Sequence, residues 1–161
     1  MRAVQFLFGR SPVQEKPGPF SGHLVFQTVE INLKTALISA LIVGSGGFLG
    51  ALARYGLSGL VQRQVPHAAF PYGTLVVNLV GCLAIGVIVG LVETRQLFGA
   101  EFRRFALVGI LGGFTTFSTF GYETFAMLRE AEYLRAILNV GVQILLGLAL
   151  VWLGYNLAAS R

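Results

Sequence analysis

The side chains that need a chemical account are the few polar ones inside otherwise apolar sequence: Arg54, Asn78, the hydroxyl residues from Thr115 to Thr119, Glu123, Asn139 and Gln143. Polar groups placed in lipid are costly and face protein or water. Arg54, in GGFLGALARY (46–55), sits off the centre of its apolar run. It either snorkels to an interface or draws anions into a vestibule. Asn78, in PYGTLVVNLVG (71–81), has an uncharged amide with two donor hydrogens. That amide either bonds a neighbouring helix or faces a pore, where it can greet an anion without trapping it.

The run GGFTTFSTF (112–120) is the most unusual. Gly112 and Gly113 are poor helix formers, and Thr115, Thr116, Ser118 and Thr119 compete for backbone hydrogen bonds. Together they predict a helix break near mid-membrane. Carbonyls freed by a break need a partner: a neighbouring helix, water, or a cation such as Na⁺. Phe117 and Phe120 are three apart and share a helix face. Their rings either pack or offer positive edges to an anion. Glu123, one turn on, either bonds hydroxyls, pairs with an arginine of another helix or is solvated. Neither His23 nor His67 has Cys, Asp or Glu at metal-ligand spacing, and no phosphate or dinucleotide loop occurs. Nucleophilic and metal-dependent catalysis are therefore not expected.

Four apolar segments must position these groups: about Thr35–Val61, Pro71–Val92, Phe102–Leu128 and Tyr133–Ala159. Each has at least about 20 residues, which at roughly 1.5 Å per residue crosses a hydrocarbon core of roughly 30 Å. The joints are Gln62–Ala69 with Pro66, Glu93–Glu101, and the charged Arg129–Glu132. An all-α membrane protein of four transmembrane helices follows, with short links and both termini on one face. Pairs four residues apart (Gly46 and Gly50, Gly86 and Gly90, Gly109 and Gly113) predict close helix packing. Residues 1–34 hold Pro12, Pro17, Pro19 and His23 and read as a mobile tail before a 35–161 channel-sized domain. No apolar stretch long enough for a signal peptide precedes Pro12.

Composition agrees. Of 161 residues, 55% are hydrophobic and 12% charged, against about 25% charged in soluble domains. Mean hydropathy is +0.72. A soluble enzyme, a disordered chain and a coiled coil are excluded on these grounds. The formal charge of +5 comes from scattered cations, as in membrane-protein loops, not from a nucleic-acid-binding run. The termini and second link carry eight of these cations and the opposite face three; without the four in residues 1–34 the balance is four to three. A balance so close suits a chain inserting in both orientations. Cys82, the one cysteine, can form no intrachain disulfide and reads as a packing residue.

GGFLGALARY, PYGTLVVNLVG and GGFTTFSTF, in order and in three different helices, make this sequence resemble the Fluc (CrcB) family of fluoride channels over about residues 40–159. The resemblance implies an antiparallel dual-topology homodimer in the cell (inner) membrane, with two narrow fluoride pores at the subunit interface. It implies passive export that lowers cellular fluoride and its toxicity, and fluoride, lipid and a second copy as partners. It places Asn78, Phe117, Phe120, Ser118 and Thr119 at the fluoride pore, and Glu123 along or beside it. Arg54 takes a vestibule or structural role. A structural, untransported Na⁺ falls on the backbone carbonyls of Gly112 and Thr115. The family's fourth helix usually supplies hydroxyls, whereas the span 133–159 has no Ser or Thr. Asn139 and Gln143, four apart on one face, are the available substitutes.

Four helices leave little room for a pore within one chain, which favours a dimer interface. The competing reading is a proton-coupled small four-helix multidrug transporter. It needs an embedded carboxylate in a substrate cavity, and the only candidate is Glu123. A purely structural membrane subunit explains the glycine spacing but not Asn78 together with GGFTTFSTF.

Overall fold

The computed structural model describes residues 22–66, 68–95 and 99–160, with side chains from residue 32 onward except at Arg95. Its described residues are helical apart from short joints. The elements are α1 (Gly22–Gln64), α2 (Tyr72–Arg95), α3 (Ala100–Arg103), a π-helix (Arg104–Leu111), α4 (Gly112–Phe114), α5 (Phe117–Arg129) and α6 (Tyr133–Ala159). Four spans are long and apolar enough to cross a membrane: Asn32–Gln64, Tyr72–Thr94, Ala100–Arg129 and Tyr133–Ala159. The four expected segments fall within them, except that the second begins one residue earlier, at Pro71. The first helix begins earlier than Thr35, at Gly22. Of the expected tail, residues 1–21 lie outside the described residues, as do His67 and residues 96–98 of the second link.

Glycines set how closely the spans approach. A Cβ on Gly46 would lie 2.6 Å from the Phe105 carbonyl oxygen and 3.0 Å from the Gly109 Cα. One on Gly113 would lie 2.9 Å from the Gly47 Cα. The first and third spans therefore meet backbone against backbone. On the other side α2 packs along α6, where Gly90 faces Tyr155 and Ala158 and Gly154 faces Leu83 and Val87. Small residues four apart permit this contact in lipid, where close packing replaces the hydrophobic drive. Few apolar side chains are buried within the chain, and Leu41, Tyr55, Phe117, Leu134 and Trp152 are among many that are exposed. Such an apolar exterior suits lipid or another apolar protein surface as its surroundings.

The third span is irregular. Its first half contains the π-helix, with i→i+5 hydrogen bonds, and Gly109 within it lies against Gly46 and Val43. After Phe114 the backbone is extended at Thr115 (φ −82°, ψ 156°) and Thr116 (φ −148°, ψ 113°). Thr116 then caps α5, its hydroxyl accepting from the Thr119 amide at 3.3 Å. At the far end of α5 the amide of Glu132 reaches back to the Met127 carbonyl at 2.9 Å, with Ala131 left-handed (φ 59°). This cap turns the chain sharply into α6. An Arg135–Glu132 ion pair stands at that turn.

Candidate functional site

The site is built around the two extended residues. Thr115 ends α4 by bonding the Leu111 carbonyl twice, from its amide at 3.0 Å and its hydroxyl at 2.9 Å. The competing hydroxyl is the physical reason a threonine suits a helix end. Thr116 turns its peptide group toward α2. Its N–H donates to Asn78 Oδ1 at 2.9 Å, and its carbonyl accepts from Asn78 Nδ2 at 3.2 Å. Asn78 thus pairs with an extended peptide as a neighbouring strand would. Pro71 allows α2 to start where it does, since a proline there lacks no needed donor and its carbonyl accepts from Leu75 at 3.1 Å.

From Asn78 a line of hydrogen bonds leads to the fourth span. Asn78 Nδ2 also donates to Gln143 Oε1 at 2.7 Å. Gln143 Nε2 donates to Asn139 Oδ1 at 3.1 Å, and Asn139 Nδ2 to Thr124 Oγ1 at 2.9 Å. Thr124 Oγ1 donates to the Phe120 carbonyl at 2.8 Å. Asn139 is fully buried, and a buried amide must be bonded to be tolerated. Three spans are thereby linked through side chains at one level.

Two grooves flank Thr116. The first, of about 430 Å³, is lined by Asn78, Cys82, Thr116, Phe117, Phe120 and Gln143 among others. Phe117 and Phe120 have ring centroids 5.5 Å apart at 59°, and Phe117 is 82% exposed. Gly112 and Thr115 also border this groove. The second groove, of about 500 Å³, is lined by Arg54, Tyr55, Ser58, Thr74, Thr116 and Thr119 among others. The structure therefore brings Asn78, Phe117, Phe120, Gly112 and Thr115 together and sets Arg54 and Thr119 on the other side of Thr116. Ser118 holds its hydroxyl 3.3 Å from Thr116 Oγ1.

Glu123 borders neither groove. Of the readings open in the sequence, the hydroxyl partner is the one found: Thr74 Oγ1 donates to Glu123 Oε1 at 2.6 Å. Glu123 Oε2 is buried with no hydrogen-bond partner among the described residues. Thr74→Val leaves both carboxyl oxygens without a donor. The expected loss is about 1–3 kcal/mol, read as a lower thermal unfolding midpoint in detergent; an unchanged midpoint would show that the bond carries no stability.

Thr116 and Thr74 are the site residues that sequence reasoning undervalued. The sequence signal for Thr116 is only that of a hydroxyl residue able to compete for backbone bonds or cap a helix, not of its pairing with Asn78. Thr74 gave none, because its partner lies 49 residues away.

The chain is similar to known proteins over most of its length. The family model described as "CrcB-like protein, Camphor Resistance (CrcB)" matches residues 41–155. A protein of Nitratidesulfovibrio vulgaris (strain DSM 19637 / Miyazaki F) named fluoride-specific ion channel FluC is 48% identical over 114 residues, covering 71% of this chain and 91% of that protein. A protein of the same name from Pyrococcus abyssi is 46% identical over 128 residues, covering 80% of this chain and 98% of its own length. One from Hydrogenovibrio crunogenus is 46% identical over 118 residues, covering 73% and 89%.

Proposed function

The chain belongs to the CrcB family, and from that premise we propose that it is a fluoride-specific channel, and not an enzyme, that lets fluoride leave the cell down its electrochemical gradient. The observation that carries this reading is the groove beside the extended Thr115–Thr116 pair, bordered by Asn78, Phe117 and Phe120, in a chain whose relatives bear that channel's name. Fluoride is small and holds its water tightly, so a path must replace water with close donors. Neutral hydroxyls and ring edges stabilise an anion without holding it, as conduction demands. On this reading the path runs past Asn78, Phe117 and Phe120, with the hydroxyls of Ser118 and Thr119 along it. Arg54, in the second groove, raises the local anion concentration at an entrance. A negative cell interior drives the ion outward, which lowers cellular fluoride and its toxicity.

The working unit in this reading is an antiparallel homodimer of dual topology in the cell (inner) membrane, with the pores at the interface. The exposed apolar exterior supports it, as does the four-to-three cation balance outside residues 1–34. A single chain leaves the Phe117 face open, and a second copy would close it. The two extended residues are, in this reading, the functional break of the third span.

A structural Na⁺ fits the donor set at that break. In a continuous helix the Gly112 carbonyl would accept from the amide of Thr116, and that of Thr115 from the amide of Thr119. Here the Thr116 amide goes to Asn78 Oδ1 and the Thr119 amide to Thr116 Oγ1. Both carbonyls lose their usual donors, and carbonyl oxygens are the ligands a hard cation takes. Gly112 and Thr115 would hold the ion, which would supply a fixed positive charge near the groove. Two symmetry-related copies would double the number of oxygens.

The multidrug-transporter alternative asks for a carboxylate in a substrate cavity. Glu123 is bonded to Thr74 and lines neither groove, so no observation favours that reading. The test is efflux from proteoliposomes of purified protein, followed with a fluoride electrode and repeated with chloride. Fluoride flux with chloride excluded is expected. Phe117→Ile and Phe120→Ile keep the apolar volume and remove the ring edges; each should lower fluoride flux at least about tenfold, as loss of a specific ion contact predicts. Wild-type flux in both would remove the phenylalanines from the path.

A further inference from the structure

The amides at the groove can be oriented from their ends. Asn78 faces a backbone N–H and a backbone carbonyl of Thr116. One can only donate and the other only accept, so Oδ1 and Nδ2 are assigned without choice. Gln143 must then turn Oε1 to Asn78 and Nε2 to Asn139. At the far end the Phe120 carbonyl can only accept, so it takes the Thr124 hydroxyl hydrogen. Thr124 Oγ1 then accepts from Asn139 Nδ2. Both ends demand the same direction, and every member donates onward from Asn78 to Phe120.

That direction decides which donor is left for an anion. An amide NH₂ carries two hydrogens. Asn78 gives one to the Thr116 carbonyl and the other to Gln143, so both are engaged. Gln143 gives one to Asn139, and its second hydrogen has no partner among the described residues. Gln143 is only half-buried and borders the groove together with Phe117 and Phe120. Accepting at Oε1 also polarises the Gln143 amide and sharpens its N–H, the cooperative gain of a one-way chain.

We propose that Gln143, not Asn78, presents the amide hydrogen that the permeating anion meets in the first groove, and that Asn139 and Thr124 are positioning residues that hold it there. The proposal rests on the fluoride-channel reading. It gives Asn78 a framework role, pinning the extended Thr116, and makes the fourth span a direct contributor of an anion donor through an amide.

The deciding experiment is a fluoride titration of the full-length wild-type protein in detergent, with side-chain amides of Gln and Asn labelled with ¹⁵N, against a chloride titration. The Gln143 signal is identified by its contact with the Asn139 amide. One hydrogen of the Gln143 pair should shift strongly downfield with fluoride and stay still with chloride, while the Asn78 pair stays still with both. Flux is the second measurement. Gln143→Met should lower fluoride efflux roughly ten- to a hundredfold, the worth of a hydrogen bond to an ion. Asn139→Leu should do the same, and the double variant should be no worse than either single change. A Gln143 pair that ignores fluoride in a protein that conducts it overturns the proposal, even if the variants are poorly folded. So does a monodisperse Gln143→Met with wild-type flux. A wild-type protein that conducts no fluoride overturns the channel reading itself, and this proposal with it.

Discussion

Asn78→Leu abolishes fluoride efflux, lowering it more than about a hundredfold in proteoliposomes, because one substitution leaves three polar groups without partners. The Thr116 N–H, the Thr116 carbonyl and Gln143 Oε1 all bond this amide. Each orphaned group costs about 1–3 kcal/mol in a buried setting, and Thr116 is buried. Leucine keeps the branching and heavy-atom count of the asparagine side chain while removing its donors and acceptor, so the loss is chiefly one of bonding. The extended backbone at Thr116 then has no partner for its peptide group, and the one-way chain through Gln143 loses its origin. Asn78→Asp separates the two contributions. An aspartate keeps the acceptor for the Thr116 amide but gives up the donors to the Thr116 carbonyl and Gln143. It should therefore be as inactive as leucine, because its second carboxylate oxygen faces two acceptors, the Thr116 carbonyl and Gln143 Oε1, where a donor is needed. Wild-type flux in Asn78→Asp would show that neither donor bond is needed for permeation.

The features readable in the sequence are those that depend on local pattern. Apolar runs of membrane-crossing length lie at Pro71–Val92 and Tyr133–Ala159, and the helices Tyr72–Arg95 and Tyr133–Ala159 follow them closely. Gly46 and Gly50, and Gly109 and Gly113, stand four apart and do meet across the first and third spans. Asn139 and Gln143 share a face by the same spacing, and they bond each other. What stayed hidden depends on groups distant in sequence. The choice between a neighbouring helix and an open pore for Asn78 turns on Thr116, 38 residues on. The direction of the amide chain is set by two backbone groups that no side-chain pattern reveals. The Thr74–Glu123 bond is of the same kind.

Backbone irregularity was legible only in part. A π-helix needs a hydrogen-bond register shifted by one residue, and RFALVGIL (104–111) carries no composition that distinguishes it from an α-helix. The helix α1 starts at Gly22, ahead of the apolar run that begins at about Thr35. Gln27, Glu30 and Lys34 are good helix formers, but they interrupt the apolar pattern that marks a membrane span. A helix is free to extend beyond the apolar run it contains, as α1 does.

Gly50→Ala should cost more stability than a methyl group ordinarily does, because the three nearest atoms it meets are all backbone. A Cβ there collides with the Ile110 carbonyl oxygen and lies 2.8 Å from the Phe114 amide nitrogen and 3.0 Å from the Ile110 carbonyl carbon. A crowded side chain can rotate away, whereas two helix backbones can only separate. Separation also withdraws the neighbouring contacts of Gly46 and Gly113, so the cost lies at or above the upper end of the usual overpacking range of about 1–3 kcal/mol. Against it stands a gain of about 1 kcal/mol from replacing glycine by alanine in a helix. The collision wins, and the unfolding midpoint falls. Gly44→Ala on the same helix has nothing within 4 Å, receives only the propensity gain, and keeps or raises the midpoint. The pair of variants therefore moves in opposite directions in one thermal scan of detergent-solubilised protein. Fluoride flux should follow stability in Gly50→Ala, because Phe114 is the last helical residue before the extended Thr115–Thr116. Pushing it outward shifts the peptide that Asn78 grips. Equal midpoints for the two variants would mean that the first and third spans are not in backbone contact at Gly50, and the placement of the groove would have to be redrawn from that contact outward.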